Sequence, residues 1–155
     1  DRGENLLKPG KHPRDNVKFL TFFAAVVAAV DEYQDMLRAS VATPGNDNRL
    51  GGNEAPPAIV SMFVGKTMEE IIASIVSGNE YVEKTASSSG VVGSIAITKD
   101  DTDRNRTSPF AFTGNKFEFR MVGSDMSIAD ANIVLNTAVA EELGKIADSI
   151  EKEGA

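Results

Sequence analysis

The stretch Asp103–Arg120, DRNRTSPFAFTGNKFEFR, carries three arginines, one lysine and four phenylalanines. Its last part has the composition of a β-strand, and side chains alternate between the two faces of a strand. Alternation places Lys116, Glu118 and Arg120, here called the charged row, on one face and the two phenylalanines between them on the other. The phenylalanine face can be buried in a core. The charged row is costly to bury or crowd unless its members are paired, so it predicts a binding role.

The charged row and the arginines before it suit a phosphate or a metal-bound ligand. Arginine presents a planar fork that matches carboxylate and phosphate oxygens. Arg104 and Arg106 flank Asn105 in a loop that enters the strand, which suits a transferring phosphoryl group. Glu118 is a hard oxygen ligand that could hold Mg²⁺ or Mn²⁺, and Arg120 could hold a substrate carboxylate. The alternative is a solvated strand face with ion pairs among its own residues.

A second unusual stretch, residues 43–57 (TPGNDNRLGGNEAPP), predicts a long irregular loop. Glycine, asparagine and proline residues surround Arg49 and Glu54 in it, and these residue types favour turns. Long loops in compact domains often carry function. Composition alone also fits a solvated surface loop.

Composition limits the classes of function. The chain has 155 residues, 41% of them hydrophobic and 25% charged, which is ordinary for a globular protein. The net charge of -7 argues against a main role in binding nucleic acid or an acidic membrane. The longest apolar run, Phe22–Val30, is far shorter than the ~20 residues of a membrane span. The chain has no cysteine, which excludes thiolate metal sites and disulfides.

Periodicity and capping signals predict the secondary structure. The predicted elements are a helix over Val17–Ala39 capped by Asp15 or Asn16, a strand over Ala58–Val64, a helix from a Thr67–Glu70 capping box to Ser77, a strand over Gly93–Thr98, and a last helix starting near Ser127. The middle of the first helix is apolar on every side and is expected to be buried all round. No linker divides the chain. The order of elements predicts one α+β domain, with antiparallel strands and helices packed on one face.

The two unusual stretches also carry a family resemblance. NRLGGNEAPPA (Asn48–Ala58) and DRNRTSPFAFTGNKFEFR resemble the C-terminal part of the catalytic domain of glutamine synthetase, in particular its large type III form. Three further stretches support the resemblance, which covers nearly the whole chain: ENLLKPGKHPRDN, LRASVATPGNDNRL and SIADANIVLNTAVAEEL.

The resemblance implies an activity and its partners. The family joins ammonia to glutamate: ATP phosphorylates the side-chain carboxylate, and ammonia then displaces phosphate from the acyl phosphate. It implies ATP and Mg²⁺ or Mn²⁺ as cofactors, glutamate and ammonia as substrates, and no nucleic acid or membrane partner. It further implies a cytoplasmic, ring-shaped homo-oligomer, a dodecamer.

The resemblance also assigns roles to five residues. It implies that Arg49 binds the glutamate substrate, and that Glu54 lies on a flap that closes the site and helps deprotonate ammonium. It implies that Arg106 meets the ATP phosphates and the transferring phosphoryl group. Glu118 corresponds to a metal ligand, and Arg120 to an arginine that contacts glutamate and the phosphoryl group.

Other parts of the family pattern are absent. The Arg49-to-Glu54 interval is one residue shorter than in the smaller forms, and TSPFAF takes the place of a second arginine. The family's glutamate-rich metal strands lie upstream of this region, so the resemblance predicts that residues 1–155 are part of a catalytic domain and inactive alone. Two alternatives remain open: a non-catalytic relative that binds a nucleotide or amino acid for assembly or regulation, and a generic anion-binding α+β module.

Overall fold

The computed structural model describes residues 3–53, 55–81 and 107–154. The predicted strand Gly93–Thr98 lies outside these residues. Within the described ranges, a 3₁₀ turn at Pro13–Asp15 is followed by α1 (Val17–Glu32), α2 (Gln34–Ala39), α3 (Pro44–Arg49), β1 (Met62–Phe63), α4 (Lys66–Ser77), β2 (Phe110–Phe112), β3 (Phe117–Phe119) and α5 (Ala129–Glu153). The chain is thus an α+β structure, as predicted.

The sheet is mixed, which corrects the prediction of an antiparallel sheet. The strand order is β1-β2-β3, and β2 pairs with β3 in antiparallel register, with Ala111 opposite Glu118. However, β1 runs parallel to β2, with Met62 beside Phe110. A parallel pair needs a long crossover connection, and the chain between these strands includes α4. Alternation within a strand reveals its two faces but not the direction of its neighbour, so the sequence pattern could not distinguish the two arrangements.

The core lies between α1 and the phenylalanine face of the sheet. Phe110 and Phe112 of β2 are buried, and their rings lie 5.3 and 5.1 Å from the ring of Phe117. Phe23 of α1 meets Phe112 edge-on at 5.1 Å, a favourable aromatic geometry. The prediction that one face of the β3 region packs into the core is therefore confirmed, although Phe117 itself is only half-buried.

The predicted first helix is divided into two. Asn16 caps α1 as predicted, because its side chain accepts a hydrogen bond from the Phe19 N–H at 3.1 Å. Tyr33, with φ −110° and ψ 22°, interrupts the helical backbone before α2 starts. All-round burial of the middle is wrong, since Ala24 is exposed. That side of α1 faces an apolar groove of about 810 Å³, whose wall on α4 includes Val76.

Two predicted helix starts shift by a residue or more. The predicted cap position of α4 is wrong, because α4 begins at Lys66 and Thr67 lies inside the helix. The cap position is Gly65, whose φ of 84° favours glycine. At α5 the cap position is Ile128, and the Ser127 hydroxyl accepts from the Ala129 N–H at 3.1 Å. A serine or threonine near the start of a helix therefore predicts that a helix begins there, but it does not predict which residue is the first one.

Helices α1 and α5 are joined by an ionic cluster at the end of α1. Lys145 Nζ lies 2.7 Å from Glu142 Oε1 and 2.8 Å from Glu32 Oε2. The hydrogen bonds that Lys145 donates to Glu142 and, second, to Glu32 raise the pKa of Lys145 above its usual range. None of the described helices has both the length and the hydropathy required to span a membrane.

Candidate functional site

The charged row forms ion pairs along β3 and just beyond it. Glu118 Oε2 accepts from Arg120 Nε at 3.3 Å and Nη2 at 3.2 Å, and Lys116 Nζ lies 3.7 Å from Glu118 Oε1. The Arg120 side chain is 15% exposed, whereas Glu118 is 39% and Lys116 64% exposed. The Glu118 carboxylate is therefore accessible to solvent and lies between two cations. This arrangement is compatible with a ligand-binding site and also with a strand face whose charged residues pair only with one another.

Arg49 stands on a helix that the sequence analysis did not predict. Pro44–Arg49 of the expected irregular loop folds into α3. The Thr43 hydroxyl accepts from the Asn46 N–H at 3.2 Å, and proline occupies the first helical position. Threonine at the cap and proline after it are a recognised helix start, so Thr43-Pro44 was a signal that could have been read. The helix gives Arg49 a fixed base instead of a loop.

The structure brings Arg49 to the residues that follow the charged row. Its Nη2 donates to the carbonyl oxygens of Met121 at 3.1 Å and Val122 at 3.2 Å. Met121 is the next residue after Arg120, so Arg49 contacts the backbone one residue beyond the charged row. Of the predicted site residues, Glu118 and Arg120 form an ion pair, and Arg49 bonds to the backbone that follows Arg120. Glu54 and Arg106 lie outside the described residues.

Hydrogen bonds hold together the residues on either side of Glu54. The Gly51 N–H donates to the Pro56 carbonyl at 2.9 Å, and the Gly52 N–H donates to the Arg49 carbonyl at 3.1 Å. Before this segment, Arg38 of α2 pairs with Asp47 of α3, with 2.6 Å between Nη2 and Oδ1. The predicted loop is thus joined directly to the end of the helix that carries Arg49.

We expect Gly51→Ala to lower the free energy of unfolding by about 1–2 kcal/mol. Gly51 has φ 82°, a backbone conformation in which an L-residue is strained. An alanine Cβ would meet no atom of the described residues within 4 Å, so the cost is conformational rather than steric. Gly45→Ala on α3 is the matched control, since it also meets nothing within 4 Å but has no positive φ. The control should be neutral or stabilising by up to about 1 kcal/mol. Urea unfolding of both variants checks the difference, and equal effects would contradict it.

A divalent metal has one evident ligand in this region. Among residues 3–53, 55–81 and 107–154, no group of three or more histidine and acidic side chains could hold a metal. Glu118 supplies a partly exposed carboxylate next to Arg120. Mg²⁺ commonly binds one or two carboxylates, substrate phosphates and water. The donor chemistry of Glu118 therefore fits one ligand of such a metal.

Comparison with known proteins identifies the family. No protein-family model matches the chain. The chain is 53% identical over 156 residues to the type-3 glutamine synthetase of Dictyostelium discoideum, covering 99% of this chain and 21% of that protein. It is 47% identical over 157 residues to a glutamine synthetase of Bacteroides fragilis, covering 98% of this chain and 22% of the relative. A glutamine synthetase of Butyrivibrio fibrisolvens is 57% identical over 121 residues, which are 76% of this chain and 17% of that protein.

Identity at this level across nearly the whole chain shows that the chain and these proteins are homologous. The chain belongs to the glutamine synthetase family, which confirms the resemblance found in its motifs. It spans about a fifth of the length of the curated relatives it matches.

Proposed function

We propose that this chain is part of the catalytic domain of a glutamate–ammonia ligase. In this proposal it supplies residues that bind glutamate and the transferring phosphoryl group. The observation that carries the proposal is the Arg49 guanidinium, whose Nη2 lies 3.1 Å from the carbonyl oxygen of Met121, the residue directly after Arg120. Arg49 at the end of α3, Arg120 just after β3 and the partly exposed carboxylate of Glu118 match the needs of a substrate with carboxylates and a phosphoryl group. The relatives are named glutamine synthetases, so the non-catalytic alternative is not favoured.

The first proposed step is phosphoryl transfer from ATP to glutamate. A side-chain carboxylate oxygen of glutamate attacks the γ-phosphorus, and the bond from that phosphorus to the β-phosphate oxygen breaks to leave ADP. Arg49 and Arg120 orient glutamate, while Arg106 and Arg120 neutralise the charge on the moving group. Glu118 would hold Mg²⁺ or Mn²⁺, which supplies further neutralisation of phosphate charge when bound.

The second proposed step forms the amide. Glu54 takes a proton from ammonium, and the resulting ammonia attacks the acyl carbon of γ-glutamyl phosphate. The carbon–oxygen bond to phosphate then breaks, and the nitrogen loses one proton to the departing phosphate, leaving glutamine and hydrogen phosphate. The short hydrogen-bonded base of the loop at Gly51 and Pro56 supports a role for this segment as a closing element. In this proposal the parent protein is a ring-shaped, cytoplasmic homo-oligomer, a dodecamer, without nucleic-acid or membrane partners.

The test is Glu54→Ala in a full-length glutamine synthetase that carries this chain. We expect ATP binding to stay nearly unchanged and glutamine formation to fall by about 10²–10⁴-fold, the usual contribution of a general base. Glu69→Ala, which removes an exposed glutamate of α4, is the control and should form glutamine normally. If Glu54→Ala formed glutamine at the normal rate, the role of Glu54 would be wrong. If the unaltered protein formed none, the ligase proposal itself would fail.

A further inference from the structure

Asn46 is a buried polar residue to which the motifs assigned no role. It is 3% exposed, and it lies one helical turn before Arg49 on the same face of α3. Burial of an amide is unfavourable unless its donors and acceptor are paired. The partners of Asn46 therefore indicate what its position requires.

Both ends of the Asn46 amide are paired. Nδ2 donates to the Val41 carbonyl at 2.7 Å and to the Met121 carbonyl at 2.8 Å. Oδ1 accepts from Arg49 Nε at 2.9 Å. Two carbonyl acceptors face the nitrogen and one N–H donor faces the oxygen, so a reversed amide would lose all three hydrogen bonds. The orientation of Asn46 is therefore uniquely determined.

These contacts form a closed ring around the arginine. The Met121 carbonyl accepts from Asn46 Nδ2 and also from Arg49 Nη2, at 2.8 and 3.1 Å. Asn46 thus fixes the Nε of Arg49, and the Met121 carbonyl oxygen fixes the side chains of both Asn46 and Arg49. Arg49 has four side-chain torsions, and two fixed contacts at neighbouring nitrogens remove most of their freedom. The guanidinium is pre-oriented before any ligand binds.

Packing leaves Asn46 little room to move. A Cβ placed on Gly123, which is buried, would lie 3.2 Å from Asn46 Oδ1. The backbone after β3 therefore approaches the amide closely on the side of the oxygen, and the hydrogen bonds to Val41 and Met121 hold its nitrogen.

We infer that Asn46 is a positioning residue that orients Arg49 toward the carboxylates of glutamate. This inference rests on the proposed function, in which Arg49 binds that substrate. Loss of Asn46 would leave the charge of Arg49 in place but release its orientation. The expected signature is weaker glutamate binding with unchanged ATP binding, because the side-chain hydrogen bonds of Asn46 within the described residues go to Val41, Met121 and Arg49.

The test compares four variants in the full-length enzyme: Asn46→Ala, Arg49→Ala, the double variant, and Asn48→Ala. Asn46→Ala should raise KM for glutamate by about tenfold or more, the change expected when a hydrogen bond to a charged group is lost. KM for ATP should remain within about twofold. Asn48→Ala, which removes an exposed asparagine of the same helix, should change neither constant.

The double variant separates positioning from a general structural role. Once Arg49 is absent, Asn46→Ala should add nothing to KM for glutamate, whereas independent effects would multiply. Multiplying effects, or a glutamate KM for Asn46→Ala near that of the unaltered enzyme, would overturn the inference. If Arg49→Ala itself left glutamate binding unchanged, the proposed function of Arg49 would fail instead.

A second substitution covers the case in which Asn46→Ala does not fold. Asn46→Asp keeps an oxygen for Arg49 Nε but replaces the two N–H donors with a second oxygen. It should lower the melting temperature and raise KM for glutamate, because the added carboxylate lies beside the Arg49 guanidinium and competes with the carboxylates of the substrate. A KM for glutamate that Asn46→Asp leaves unchanged would overturn the inference.

Discussion

Glu118→Ala in the full-length enzyme should weaken binding of the metal–nucleotide complex by on the order of 100-fold or more. Even residues that only support a metal ligand contribute about 10–100-fold to metal affinity, so a ligand should contribute at least as much. Glutamate affinity should change far less, because Arg120 and Arg49 remain. Isothermal titration with Mg²⁺–ATP and, separately, with glutamate measures both effects.

The structure complicates this result, because Glu118 also pairs with Arg120 at 3.2 Å and with Lys116 at 3.7 Å. Lys116→Ala is therefore the matched control. It removes an ion pair of the charged row without removing the carboxylate, and its exposed pair should be worth no more than about 1 kcal/mol. Nearly normal nucleotide binding is expected for this control. Equal losses of nucleotide and glutamate binding in Glu118→Ala would argue against a metal role.

The largest expected effect on stability is that of Phe110→Ala, a loss of about 3–5 kcal/mol. Phe110 lies on the middle strand and is 0% exposed. Its ring lies 5.3 Å from that of Phe117 and 5.9 Å from that of Phe119, so truncation leaves a cavity behind the strand that carries Glu118.

Urea unfolding of the full-length protein, monitored at the transition that includes this region, checks the loss. Ile59→Ala is the control, since Ile59 is 77% exposed and its removal should change stability by no more than about 0.5 kcal/mol. A cost below about 1 kcal/mol for Phe110→Ala would contradict the position of the core.

Local patterns in the sequence accounted for much of the architecture. The α+β class, the cap at Asn16, the packed phenylalanine face and the charged row all depend on residues a few positions apart. The roles of Glu54 and Arg106 came from resemblance alone and stay predictions, because both residues lie outside the described part of the structure. The division of the first helix at Tyr33 and the true start of α4 depend on local backbone geometry that residue types only weakly constrain.

The sequence by itself determined that Glu118 lies between two cations, because alternation along one strand is a local property of the backbone. Its motifs also determined the family. Only the tertiary structure decided that β1 runs parallel to β2, and that Asn46 and Arg49 bond to a carbonyl more than seventy residues away. Such contacts depend on how distant segments pack, and no periodicity in the chain records which backbone carbonyl a side chain will meet.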